Sequence, residues 1–125
     1  MSTILIIEDN EKNMKLVRDI LQYGGHVTLE TPSGHEGVRL ARQHRPDLVL
    51  MDIQLPDIDG IEALRQIRTA PALDAMPVVA VSASVMPEDL RLIAAAGFDA
   101  YVTKPIALKD FKATVRRFIE HGRSA

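Results

Sequence analysis

Cysteine and tryptophan are absent from the 125 residues, and aromatics of any kind make up 4%. Without cysteine there is no disulfide, no thiolate metal ligand and no thiol nucleophile. Three Phe and two Tyr are too few for a platform on which nucleobases stack. Charge of one sign is missing too. The 15 Lys and Arg meet 17 Asp and Glu, a formal net charge of −2, whereas a nucleic-acid binder carries a basic surplus. No apolar run approaches the ~20 residues of a membrane span. The start, Met1-Ser2-Thr3, enters a short apolar run at once, with neither the basic region nor the cleavage site of a secretory signal. The expected compartment is therefore the cytoplasm. There is no internal repeat, low-complexity tract or long linker. What is present is 46% hydrophobic and 26% charged, with 7 Gly and 7 Pro, the composition of one folded domain over residues 1–125.

Short apolar runs alternate with segments of helical period. Thr3–Ile7 (TILII) reads as a strand buried on both faces. Asn10 is placed to cap a helix carrying Met14, Val17, Ile20 and Leu21, which Gly24-Gly25 ends. Residues 27–29 form a second short strand, and Ser33-Gly34-His35-Glu36 has the form of a capping box opening a helix with Val38, Leu40 and Ala41. Residues 47–52 hold a third strand that ends on a carboxylate, and Pro56 and Gly60 punctuate the loop after it. Ile61, Leu64 and Ile67 mark a third helix. A fourth strand spans 77–81, and Pro87 suits the first turn of a helix ending at Gly97. A fifth strand spans 100–103 and a last helix 108–120. Five strand–helix repeats predict a doubly wound α/β fold, a parallel sheet with helices on both faces.

In such a sheet ligands sit outside the carboxyl ends of the strands. The first strand ends in Glu8-Asp9, the third in Asp52 and the fourth in Ser82, and Thr103-Lys104-Pro105 comes after the fifth. A lone acidic residue there is commonly a helix cap or a solvated charge, and a lone lysine is usually solvated. Together they make one crevice. Three carboxylates repel unless protons or a cation compensate, and oxygen-ligated Mg²⁺ suits them. Lysine is a point-charge partner for a phosphoryl oxygen, and a serine hydroxyl can donate to another.

The segments IIEDN (6–10), PDLVLMDIQLPDIDG (46–60), PVVAVSA (77–83) and TKP (103–105) resemble the receiver domain of two-component response regulators over essentially the whole chain. EDNEKNMKL and MDIQLP are most similar to its single-domain DivK type. The resemblance implies a five-stranded flavodoxin-like sheet of order 2-1-3-4-5, with no output domain. It implies Asp52 as phosphoacceptor, Asp9 as the principal Mg²⁺ ligand with Glu8 nearby, and the backbone carbonyl of Gln54 as a further ligand. Ser82 and Lys104 would meet the phosphoryl group, Tyr101 would be the switch aromatic, and the Lys104–Pro105 bond would be cis. The sequence departs from the commoner pattern in having Glu at position 8 and Ser at 82.

The activity implied is that of a phosphoacceptor switch, which catalyses only its own marking and its hydrolysis. A partner's phosphohistidine is the expected donor, because no G-x-x-x-x-G-K-[ST] or G-x-G-x-x-G loop occurs. The partners are then a histidine kinase or histidine phosphotransferase, and a target protein at the fourth helix, fifth strand and fifth helix. Leu90, Leu92 and Ile93 are more apolar groups than one narrow buried stripe of that fourth helix accommodates. Gln54 and Ser84 either flank the hydrolytic water's path or are solvated loop residues. A flavodoxin-like carrier would want a hydroxyl- and Gly-rich loop where Glu8-Asp9-Asn10 stands, and a haloacid-dehalogenase-type hydrolase would want a second Asp at Gln54. His26, His35, His44 and His121 share no metal spacing and read as structural or solvated. Met14, Met51 and Met86 read as core or helix-edge filler.

Overall fold

The computed structural model describes residues 2–83 and 86–123. Five strands, β1 (Thr3–Ile7), β2 (Val27–Thr31), β3 (Leu48–Asp52), β4 (Val78–Ser82) and β5 (Ala100–Thr103), form one parallel sheet of order β2-β1-β3-β4-β5. Between and after them lie α1 (Glu11–Tyr23), α2 (Gly34–His44), α3 (Gly60–Arg68), α4 (Pro87–Ala96) and α5 (Leu108–His121). The expected order is borne out. The sequence reading missed a short 3-10 turn, Pro71–Leu73, between α3 and β4. It also stopped β2 at Leu29, because Glu30 and Thr31 extend the strand without apolar character. Among the described residues no helix is long and apolar enough to cross a membrane.

Strand alternation divides the core in two. Leu5, Ile7, Val49, Met51, Val78 and Ala80 face a layer with Val38, Leu64, Ile67 and Ile93 of α2, α3 and α4. Ile4, Ile6, Leu48, Leu50, Val79, Val81 and Val102 face Val17, Leu21, Phe111, Val115 and Phe118 of α1 and α5. The central strands β3 and β4 are buried throughout, as their unbroken apolar runs imply.

Three helix starts are capped by side chains: Asn10 accepts from Asn13 N–H, Ser33 from Glu36 N–H and Asp59 from Glu62 N–H. The capping box expected at Ser33 is only half formed. Glu36 turns to Arg39 and Ser33 N–H donates to Thr31 Oγ1. The first-turn amides of Gly34 and His35, which the box does not engage, meet Asp57 from the β3–α3 loop.

At the sheet's far edge Asp99 anchors the start of β5. Its carboxylate accepts from Val78 N–H at 2.8 Å and pairs with Arg68 at 3.2 Å and Arg123 at 2.9 Å. Arg68 also donates to the carbonyls of Leu73 and Met76.

Two other expectations divide. Of the α4 residues Ile93 is buried and Leu90 half-buried, whereas Leu92 is 59% exposed. Met51 is core, and Met14 packs against the core layer under α1 and α5. Met86, expected as filler, is exposed because it precedes the helix as its cap residue. His35, His44 and His121 are exposed and His26 half-buried.

Candidate functional site

The parallel register sets Ile7 beside Met51, Asp52 beside Val81 and Ser82 beside Thr103. Glu8 is therefore level with Asp52. Alternation gives Glu8, Asp52 and Lys104 the same parity as Ile6, Leu50 and Val102, on the α1/α5 side, while Ser82 has the parity of Ala80 on the other. Three residues remote in sequence thus converge, because Asp52 ends its strand and Glu8 and Lys104 come one residue after theirs.

Lys104 Nζ lies 3.0 Å from Glu8 Oε1 and 3.0 Å from Asp52 Oδ2. Glu8 Oε2 accepts from Asn10 N–H at 3.1 Å and Asp52 Oδ1 from Gln54 N–H at 3.0 Å. Both acids are buried, and Asp9 beside them is exposed. The backbone ties the walls together: Lys104 N–H donates to the Ser82 carbonyl, Ile53 N–H to the Val81 carbonyl and Gly60 N–H to the Ile53 carbonyl. Gly60 is needed, since a Cβ there would lie 2.8 Å from the Asp52 carbonyl oxygen.

Burial first, and the adjacent Asp52 carboxylate second, push the Glu8 carboxyl above its ordinary value, against the pull of the Asn10 amide and Lys104. Burial works to lower Lys104, but its bonds to Asp52 and Glu8 outweigh this and hold the ammonium above the usual lysine value. One lysine therefore compensates only part of the negative charge gathered here.

Glu8, Asp9 and Asp52 can each offer a carboxylate oxygen within 4.8 Å of the others. Mg²⁺ binds oxygen at about 2.1 Å, so its octahedral ligands stand about 3.0 Å apart when adjacent and about 4.2 Å when opposite. The three oxygens are gathered closely enough for small side-chain shifts to bring them onto one ion, and three carboxylates are the hard oxygen donors that Mg²⁺ takes.

Of the other expected site residues, Ser82 is buried at the end of β4 and Gln54 is exposed. Tyr101 is 45% exposed and shares its face with Ala80 and Ser82. The Lys104–Pro105 bond is cis. Ser84 lies outside the described residues. The sequence reading missed the inner position of Glu8, bonded to Lys104, and the role of Asp57. Burial pushes the Asp57 carboxyl up, but His35 N–H, the Ser33 hydroxyl and the amides of Gly34 and Ile58 prevail and hold it far below the carboxylate range. The Pro56-Asp57 pair marks a turn, but nothing in the spacing points to α2.

Residues 4–116 match the response regulator receiver domain family. The polar-differentiation response regulator DivK of Brucella anthropi is 43% identical over 117 residues, which is 94% of this chain and 95% of that protein. Among solved structures, the receiver domain of a sensor histidine kinase from Pseudomonas aeruginosa, with a magnesium ion coordinated in its active-site cleft, superposes with a TM-score of 0.89 at 30% identity. It covers 95% of this chain and 98% of that one. The phosphorylated cyanobacterial phytochrome response regulator RcpA gives 0.82 at 29% identity, covering 96% and 94%. The matched span runs from β1 to α5 and takes in every residue that meets at the crevice, and a relative of the DivK type is matched almost end to end: the chain belongs to the response regulator receiver domains of two-component signalling.

Proposed function

We propose that this protein is a stand-alone phosphoacceptor switch that takes a phosphoryl group onto Asp52 from a phosphohistidine of a histidine kinase or histidine phosphotransferase. One observation carries the reading. Asp52 is a buried carboxylate at the end of β3, oriented by Gln54 N–H on one oxygen and Lys104 on the other, with Glu8 and Asp9 alongside.

An Asp52 oxygen attacks phosphorus, an acyl phosphate P–O bond forms, and the P–N bond to the donor histidine breaks with its electron pair returning to the imidazole. Lys104 holds a phosphoryl oxygen, and Ser82 donates to another. Glu8, Asp9, Asp52 and the Gln54 carbonyl would hold Mg²⁺. When bound, that ion supplies charge neutralisation for the transferring group. Hydrolysis by in-line water resets the mark, with Gln54 beside its path.

The phosphoryl group then biases a two-state surface. In the unmarked protein Lys104 already pairs with Asp52, Ser82 is buried and Tyr101 is turned outward. Drawing Ser82 to the phosphoryl group would open room on the face it shares with Tyr101. The output is a protein contact at α4, β5 and α5, where Leu92, Tyr101 and Leu108 are exposed. The working compartment is the cytoplasm.

The test is intact mass after incubation with Mg²⁺ and acetyl phosphate. Wild type should gain one phosphoryl group and Asp52→Asn none. An adduct formed by Asp52→Asn at the wild-type rate would overturn the reading.

A further inference from the structure

The β3–α3 loop, residues 53–59, carries Gln54 straight after Asp52, and its middle is held from outside by α2. The Asp57 carboxylate accepts from the Ser33 hydroxyl at 2.7 Å, Gly34 N–H at 2.8 Å and His35 N–H at 2.9 Å. It thereby satisfies two first-turn amides that a capping box does not reach, since the box engages only the Ser33 and Glu36 N–H groups. Beside it α2 lies so close that a Cβ on Gly34 would stand 2.6 Å from Ile58 Cγ1 and 3.2 Å from Leu55 Cδ1. The loop's other fixings are at its ends: Ile53 is bonded to Val81 and Gly60, and Asp59 caps α3. Leu55 and Ile58 also pack against the core.

We propose that Asp57 is a positioning residue of the phosphorylation site, clamping the loop to the N-terminus of α2 and so fixing the backbone through Gln54. The inference rests on the reading of Asp52 and Gln54 given above. Gln54 has two tasks on adjacent peptide groups: its N–H orients Asp52 Oδ1 at 3.0 Å, and its carbonyl is offered to the metal. Both directions are set only if the chain between Asp52 and Asp57 is stationary. α2 is a firm anchor, because Val38 and Ala41 are buried on the sheet and Gly37 sits directly against Ile7. Groups that orient metal ligands from behind typically cost 10–100-fold in affinity when removed, and Asp57 acts through three residues of backbone, so about tenfold is expected.

The test is calorimetric titration of the full chain with Mg²⁺, without phosphodonor, together with amide exchange in metal-free buffer. Asp57→Ala should raise the Kd for Mg²⁺ about tenfold and speed exchange at Gln54. Asp57→Asn, whose amide oxygen still accepts, should recover most of the loss. Gly34→Ala leaves Asp57 intact but pushes on Ile58, so it should weaken Mg²⁺ in the same direction, and it answers the question if Asp57→Ala does not fold. Val115→Ala opens the other core layer, under α1 and α5, and leaves the α2 anchor intact. It should lower the melting temperature and keep the wild-type Kd. Wild-type Mg²⁺ affinity in both Asp57→Ala and Gly34→Ala would overturn the clamp, as would an equal loss in Val115→Ala. A wild-type chain that binds no Mg²⁺ would overturn the phosphoacceptor reading and the clamp with it.

Discussion

Replacing Lys104 by methionine keeps most of the side chain's length and removes its charge. The ammonium lies 3.0 Å from a Glu8 oxygen and 3.0 Å from an Asp52 oxygen, and those side chains are 5% and 6% exposed. Each contact is worth about 5 kcal/mol gross at an effective dielectric near 20. Much of this disappears from the balance, because the ammonium's own desolvation, several kcal/mol, goes with it. Two buried carboxylates then face each other and Asp9 without a cation, and removing one partner of a buried pair typically costs about 3–5 kcal/mol. A proton on Glu8 relieves part of that, since burial and Asp52 already hold its carboxyl high. The expected loss in metal-free buffer at pH 7 is about 2–4 kcal/mol, against a total of ~5–15 kcal/mol for a domain. Mg²⁺ supplies positive charge that the variant lacks, so it should stabilise Lys104→Met more than wild type. The assay is urea unfolding of both proteins, in EDTA and in millimolar Mg²⁺. A variant within about 0.5 kcal/mol of wild type in EDTA, the range of an ordinary surface change, would refute the reasoning. So would an equal Mg²⁺ increment in both proteins.

Glu8→Gln should behave oppositely in metal-free buffer. A raised carboxyl contributes stability that is full below its ordinary value of 4.5 and lost as pH rises through the folded value. The amide should therefore be more stable at pH 7 and flatten that loss, and an unchanged pH slope of the urea midpoint would contradict this. Asp57 has the reverse sign: its contribution is present above 3.8 and lost as pH falls below it, so Asp57→Asn should unfold less steeply in acid than wild type. Asp9→Asn should weaken Mg²⁺ about tenfold or more by calorimetry, since the ion has few protein carboxylates to lose; superimposable titrations would count against it. Phosphorylation should change amide exchange mainly in α4, β5 and α5, and changes confined to α1 and α2 would move the output face elsewhere.

The parts of this fold that were legible before the structure are those where one physical rule acts alone. Apolar runs such as LVLM of β3 and VVAV of β4 are buried on both faces and announce themselves. So do Asn10, Pro87 and Gly97, whose roles are local. The crevice was legible for a related reason: in a parallel sheet every strand delivers its last residue to the same edge. What was hidden depended on a choice between partners. Glu36 could have closed the box at Ser33, but Arg39 on the same helix face took it, and Asp57 arrived from 24 residues away. Glu8 reads as an outer acid until burial and Lys104 are seen together. Leu90, Leu92 and Ile93 are equally apolar in sequence, and only packing against α3 and the sheet separates the buried Ile93 from the exposed Leu92.

Asp99 and its two arginines have a mechanical meaning for the edge that carries Tyr101. β5 is bonded to the sheet on one side only, and its start is moored while its end is tied to the crevice through Lys104. A strip clamped at one end and pulled at the other tilts about the clamp. From Asp99 to Lys104 the chain rises about 16 Å, so a shift of about 1 Å at the lysine tilts the edge by about 4°. Tyr101, two residues from the pivot, travels less than half as far. Loosening the mooring with Arg68→Ala and Arg123→Ala together would leave the start of β5 held through Val78, so the same pull would move the pivot as well as turn the strand about it.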